Sequence, residues 1–300
     1  KGNGISLFCT EGGISGAVTT GNLMYRNTIE HNADNGIFVG KFCEVTSTPT
    51  SDSNAFNPIV ENTIYENGRV SGTADPSNDD GIGIDLQDQS NLSAVSYTSG
   101  NTNINENDTA LTDGGNQMAD TPVITSASYN TGLSTWTVNG TQFIPSSGSV
   151  GSMVELYQVG CASNNLPTNL TTCDLDTYSG APNAYGYGQG RIFLGRTYTT
   201  TGEWVINIPP SAGFSGGLLT ATNTMVDINL SCATPPTVLA EFVGGGSNAL
   251  CSSSEFSANF LAQAPTPFTY GGNLTKLVTP QSIVQGGTGT TILSFANTGN

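Results

Sequence analysis

The sequence predicts an all-β protein: a right-handed parallel β-helix over residues 1–90, then an Asn/Asp-rich connector over 91–120. An antiparallel β-sandwich follows over 121–262, and a linker with two more strands over 263–300. Three observations carry this. A motif recurs: Asn27-Thr28-Ile29-Glu30-His31-Asn32 leads into Asn35-Gly36-Ile37-Phe38-Val39, and Asn62-Thr63-Ile64-Tyr65-Glu66-Asn67 leads, after an insertion, into Asp80-Gly81-Ile82-Gly83-Ile84. The two Asn-Thr-Ile units lie 35 residues apart, and a half-copy, Asn3-Gly4-Ile5-Ser6-Leu7, opens the chain. Such a period marks a solenoid, in which each unit buries its apolar face by stacking on the next. Second, the strands are short and alternating, with Asn and Gly between them, which leaves no room for a helix. Asn and Gly accept the left-handed conformation of tight corners, and stacked Asn side chains can bond in ladders. Third, the pattern changes at Pro122. Val123-Ile124, Trp136–Val138, Val154–Tyr157, Ile192–Leu194, Trp204–Ile206, Leu218–Thr222 and Glu255–Ser257 read as seven short strands between turns, a count that suits two stacked sheets.

Taken in order, residues 8–24 are an insertion rich in Gly and Thr, and residues 40–58 and 68–79 are polar loops leaving the rungs. Residues 86–120 show no apolar periodicity and are dense in Asn, Asp, Thr and Ser, as expected of a long connector. Leu274–Asn300 reads as two strands joined at Gly286-Gly287. Two strands alone are marginal in water, so this segment is expected to pair with a remainder of the protein or with a neighbouring subunit. Lys1–Ile5 already sits inside a rung, so no signal peptide is read there, and the chain is expected to be the retained part of a longer precursor.

Composition narrows the classes. Seven Lys+Arg stand against 23 Asp+Glu, a formal net charge of −16. That argues against nucleic acid or an anionic membrane surface as partner, because both need clustered basic residues. No apolar run approaches the roughly 20 residues of a membrane span. With 38 Gly, 10% charged residues and six Cys, the chain fits a turn-rich protein of an oxidising, extracellular or cell-surface compartment. Six cysteines allow fifteen pairings; nearest neighbours in sequence give Cys9–Cys43, Cys161–Cys173 and Cys232–Cys251. No C-x-x-C spacing and a single histidine, His31, speak against zinc.

The motif N-x-I-x-x-N…N-G-I-x-V resembles the rungs of parallel β-helix repeats in large bacterial surface proteins and in polysaccharide lyases and hydrolases. Residues 121–262 resemble an Ig-like module that follows such rungs. The matching residues are Val154-Glu155-Leu156-Tyr157, Cys161, Gly188-Gln189-Gly190, Phe193-Leu194-Gly195, Thr220-Ala221-Thr222 and Ser254-Glu255-Phe256-Ser257. The chain departs from the module through insertions at 162–187 and 226–252, both holding cysteines. Leu274–Pro280, Val284, Gly286-Gly287-Thr288, Ile292 and Asn297–Asn300 resemble the opening of a β-sandwich repeat that occurs in tandem on giant bacterial and archaeal surface proteins.

For chemistry, the acidic set Asp79, Asp80, Asp85 and Asp88 stands out. The resemblance to β-helix hydrolases implies paired Asp residues as acid and base, a role open to Asp79 and Asp80 with Asp85. The G-H-G and R-I-K signatures of that family are missing, and the rungs offer only Lys1, Arg26, Lys41 and Arg69 as a lyase base. Calcium fits the same acids better, since it takes six to eight oxygen ligands. A second set lies in the connector: Asn105, Asn107, Asp108, Asp113, Asn116 and Asp120. The plainer reading of both sets is solvated acidic loops. Six N-x-S/T sequons, at Asn91, Asn107, Asn139, Asn169, Asn229 and Asn273, are glycosylation candidates. The run Tyr185-Gly186-Tyr187-Gly188 could stack on a sugar but reads more simply as a turn.

The expectation is a non-enzymatic extracellular structural protein, a module of a surface layer, sheath, filament or adhesin, whose partners are its own copies or other surface proteins. The rivals are a polysaccharide lyase or hydrolase and a carbohydrate-binding adhesin.

Overall fold

The computed structural model describes residues 3–7, 20–33, 35–40, 56–67, 82–86, 116, 119–144, 151–159, 175–176, 187–227 and 249–263. The chain divides into two units, Lys1–Pro265 and Thr266–Asn300, and all described residues belong to the first. The described residues are all-β, with no α-helix among them, and none is part of a helix long and apolar enough to cross a membrane.

The first seven strands fall in three parallel sheets that the chain visits in rotation. The strands β1 (Ile5–Leu7), β4 (Ile37–Val39) and β7 (Ile84–Leu86) form one sheet. The second pairs β2 (Met24–Tyr25) with β5 (Ile59–Val60), and the third pairs β3 (Thr28–Glu30) with β6 (Thr63–Tyr65). Each circuit is one coil. The sides carrying β2, β3, β5 and β6 run five residues from corner to corner. Gly21, Arg26 and His31 in one coil, and Phe56, Glu61 and Glu66 in the next, all have positive φ, between 52° and 71°. Each of the six is followed by Asn. A left-handed residue turns the chain at the corner, and the Asn after it bonds to the equivalent Asn 35 residues on. Asn22, Asn27 and Asn32 donate from Nδ2 to Oδ1 of Asn57, Asn62 and Asn67, at 3.0, 2.9 and 2.7 Å. Five of those six corner residues carry a Cβ, at a conformational cost of about 1–3 kcal/mol each. The ladders help offset it. Between corners, Met24, Ile29, Ile59 and Ile64 are buried with Ile37, Val39, Ile84 and Leu86 in one cluster.

The register of β7 corrects the sequence alignment. Ile37 pairs with Ile84, not Ile82, and Val39 with Leu86. A two-residue shift keeps every side chain on its face, so alternation cannot detect it. Hydrogen bonds of Asn35 mark it instead: its Oδ1 accepts from Ile82 N–H and its Nδ2 donates to Asp85 Oδ2, both at 2.7 Å. The backbones also lie so close that a Cβ on Gly36 would sit 2.6 Å from the Gly83 carbonyl oxygen.

The remaining strands are antiparallel. β8 (Val123–Asn130), β9 (Thr135–Thr141) and β14 (Glu203–Ile208) form a three-stranded sheet in the order β14-β9-β8. A five-stranded sheet runs β13 (Gly190–Thr199), β10 (Gly151–Val159), β15 (Gly217–Asp227) and β16 (Ala249–Ser253), with β17 (Phe260–Ala262) also on β15. A small pair, β11 (Leu175–Asp176) with β12 (Tyr187–Gly188), makes part of the expected Tyr-Gly turn extended. The two larger sheets share a core of Ile124, Trp136, Val138, Val154, Leu156, Leu194, Trp204, Ile206, Ile208 and Phe214, among others.

Six of the seven expected strands are present. Glu255–Ser257 is not one. The hydroxyls of Ser254 and Ser257 accept the N–H groups of Asn223 and Ala221, at 2.9 Å each, where a strand would offer carbonyls. The chain therefore follows β15 without forming a regular ladder.

The five-stranded sheet is buried on both faces. Along β10, Val154 and Leu156 enter the core between the sheets, whereas Met153 and Tyr157 pack with residues of the coil. Phe193 and Phe256 join Tyr157 against the coil interior.

Candidate functional site: the joint between coil and sheets

The densest buried polar group lies where the five-stranded sheet meets the second coil. At that end no further strand pairs β5 or β6 among the described residues. Side chains from the later chain take its place. Asn57 N–H donates to Asn116 Oδ1 (2.8 Å), and Asn116 Nδ2 donates back to the Asn57 carbonyl (2.7 Å). Asn67 N–H and Nδ2 both donate to Gln189 Oε1 (3.1 and 3.0 Å), and Gln189 Nε2 returns a bond to the Asn67 carbonyl (2.9 Å). Ile59 N–H donates to Ser253 Oγ and Leu86 N–H to Glu255 Oε1, both at 2.8 Å. Asn116 and Gln189 thus extend the ladders of Asn22–Asn57 and Asn32–Asn67 by one step.

The geometry needs glycine beside Gln189. A Cβ on Gly190 would lie 2.6 Å from the Phe256 ring and 2.8 Å from that of Tyr157. The two rings stand nearly perpendicular, 5.7 Å apart, an arrangement aromatic quadrupoles favour.

The remaining corner is ionic. Glu61 bonds Arg26 (2.9 Å) on one side and Arg196 on the other. Arg196 Nη1 lies 3.6 Å from Glu155 Oε1. Glu155 Oε2 accepts both the Glu61 N–H and the Tyr157 hydroxyl, each at 2.8 Å. Glu155 is fully buried. Desolvation pushes its carboxyl above the usual range, opposed by Arg196 and by its two hydrogen bonds. Tyr157 is raised well above an ordinary phenol, first by burial and then by the Glu155 charge.

Of the predicted metal ligands only Asp85, with Asn116 and Asp120 from the connector set, lies among the described residues. Asp85 is a strand residue, 3% exposed, whose Oδ2 accepts from Asn35 Nδ2 at 2.7 Å. Asn116 is spent on the ladder, and the Asp120 carbonyl accepts from Gln142 Nε2 at 3.1 Å. Asp79, Asp80, Asp88, Asn105, Asn107, Asp108 and Asp113 lie outside the described residues. No group of three or more His, Cys, Asp or Glu suited to a metal occurs among the described ones. His31 sits at a corner as expected, its Nδ1 3.1 Å from Glu66 Oε2. Of the sequons only Asn139 is described; it lies on β9 and donates from Nδ2 to Ser126 Oγ (3.0 Å). Asn91, Asn107, Asn169, Asn229 and Asn273 lie outside. Cys251 is buried on β16, while Cys9, Cys43, Cys161, Cys173 and Cys232, and with them the pairing scheme, fall outside the description.

Sequence reasoning singled out Glu155, Gln189 and Glu255 only as parts of motifs, without a role. For Glu155 the available signal was a charged residue between apolar neighbours on a strand predicted to be core. Comparisons with protein-family models, curated proteins and solved structures return no match.

Proposed function

We propose that this chain is a non-enzymatic extracellular structural protein, a module of a cell-surface layer, sheath, filament or adhesin. In this reading the three parallel sheets are a right-handed parallel β-helix and the two antiparallel sheets an Ig-like sandwich. One observation carries it: the buried polar side chains of the sandwich, Glu155, Gln189, Ser253 and Glu255, are used to close the coil end. Groups committed to joining two bodies in this way serve stiffness. The burial of Asp85 against Asn35 also supports it over a hydrolase that would use that carboxylate. The cysteine pairing Cys9–Cys43, Cys161–Cys173 and Cys232–Cys251 belongs to the same proposal. Electron microscopy of the purified protein at rising concentration should show filaments or ordered sheets. Release of reducing or unsaturated sugars from acidic polysaccharides would overturn the reading, and unreduced peptide mapping that linked Cys43 to Cys161 would overturn the pairing.

A further inference from the structure

The two ends of the coil differ. Asn57, Asn62 and Asn67, in the second coil, are at most 2% exposed. Their counterparts one coil earlier are not buried: Asn22 and Asn27 are exposed and Asn32 is half-buried. Since each earlier Asn already bonds the later one, the exposure lies on the side facing away from the sandwich. β2 pairs only with β5 and β3 only with β6, so the opposite edges of β2 and β3 carry no strand among the described residues. An open edge of this kind is a template for another strand.

The corners of that edge are basic in an acidic protein. Arg26 and His31 stand five residues apart, with side chains 56% and 64% exposed. One coil below them are Glu61 and Glu66, which pair with them. Along one corner the charges already alternate as Arg26, Glu61, Arg196, Glu155. Continuing that alternation on the open side requires acids opposite Arg26 and His31. A second copy meeting this edge with its own open end would bring arginine rather than acid to it, and like charges disfavour that.

We propose that the open edge of β2 and β3 is a docking surface for an extended acidic polypeptide. It adds a strand parallel to each, with Asp or Glu five residues apart facing Arg26 and His31. The partner's backbone N–H groups bond Asn27 and Asn32 Oδ1, as those of Asn27 and Asn32 bond Asn62 and Asn67. Strand addition of this sort draws affinity from the backbone and selectivity from side chains. The inference rests on the edge alone and not on the proposed function.

The second coil supplies the probe, because Phe56–Asn67 carries Glu61 and Glu66 at the required spacing. A labelled peptide of that sequence, titrated into the full 300-residue chain at low salt, should bind saturably. A peptide with both glutamates replaced by Lys should bind on the order of tenfold more weakly, as losing the acid opposite Arg26 and placing Lys there allow. In the Arg26→Gln/His31→Gln chain that preference should vanish; neutral amides put no like charge against Glu61 and Glu66, so the variant should fold. Amide resonances of Asn27–Glu30 should move on binding. No binding, equal binding of the two peptides, a preference kept by the variant chain, or shifts centred on Gln189 and Ser253, meaning exchange with the chain's own second coil, would each overturn the proposal.

Discussion

The coil and the sheet stack bury side chains by different means. The stack excludes water with bulk: Trp136 packs between Tyr129 and Phe214, ring centroids 5.2 and 5.3 Å away, and Trp204 lies in the same core. The coil has short sides and one large apolar side chain on most of them, too few for a core of that kind. It is held as much by amides repeated in register. Each region is fragile in its own way: the stack to loss of volume, the coil to loss of a single polar atom.

The largest expected effect is on the stack. Trp136→Ala should cost about 3–5 kcal/mol, by lost transfer energy and the cavity left behind. Urea unfolding followed by far-ultraviolet circular dichroism measures it; a loss under about 1 kcal/mol would mean that the core re-collapses. Next comes the coil ladder. Asn62 accepts two bonds from Asn27 and donates to the Met24 and Val60 carbonyls. Asn62→Ala should cost about 2–4 kcal/mol, because several buried groups lose their partners together. The same change at Asn139, on the outer face of β9, should cost less than about 0.5 kcal/mol. Equal losses at the two positions would erase the distinction drawn above.

The smallest effect is a pH dependence at the joint. Burial raises the Glu155 carboxyl, so the folded chain holds that proton to higher pH than the unfolded chain. The stability this contributes is complete below the unfolded pKa and is lost as pH rises through the folded one. Over that window wild type should lose stability relative to Glu155→Gln. Unfolding midpoints of both proteins at a series of pH values would show it; parallel curves would mean that Arg196 balances the charge throughout.

The coil was legible because its residues repeat. Asn27-Thr28-Ile29 and Asn62-Thr63-Ile64 pair in the structure as their spacing implied. The β7 register was not, since alternation has period two and Gly81 and Gly83 both offer a glycine to lie beside Gly36. Strands in the stack were legible where inward residues alternate, as in Glu203–Ile208. Glu255–Ser257 misled because serine hydroxyls can stand in for backbone carbonyls, which no propensity records. The joint was illegible for a plainer reason. Its partners are far apart in the chain, and neither half of a bond such as that between Leu86 and Glu255 announces the other.

That separation bears on synthesis. Glu255 follows Leu86 by 169 residues. At ribosomal rates of about 5–20 residues per second, the second coil waits roughly ten to thirty seconds for the side chains that close it. During that interval its lower edge is an unpaired template, open to any extended chain nearby. The coil is made first but can be completed only last. Nascent chains halted before Ser252 should therefore be cut by protease within Phe56–Leu86, and chains halted beyond Ala262, once clear of the ribosome, should resist.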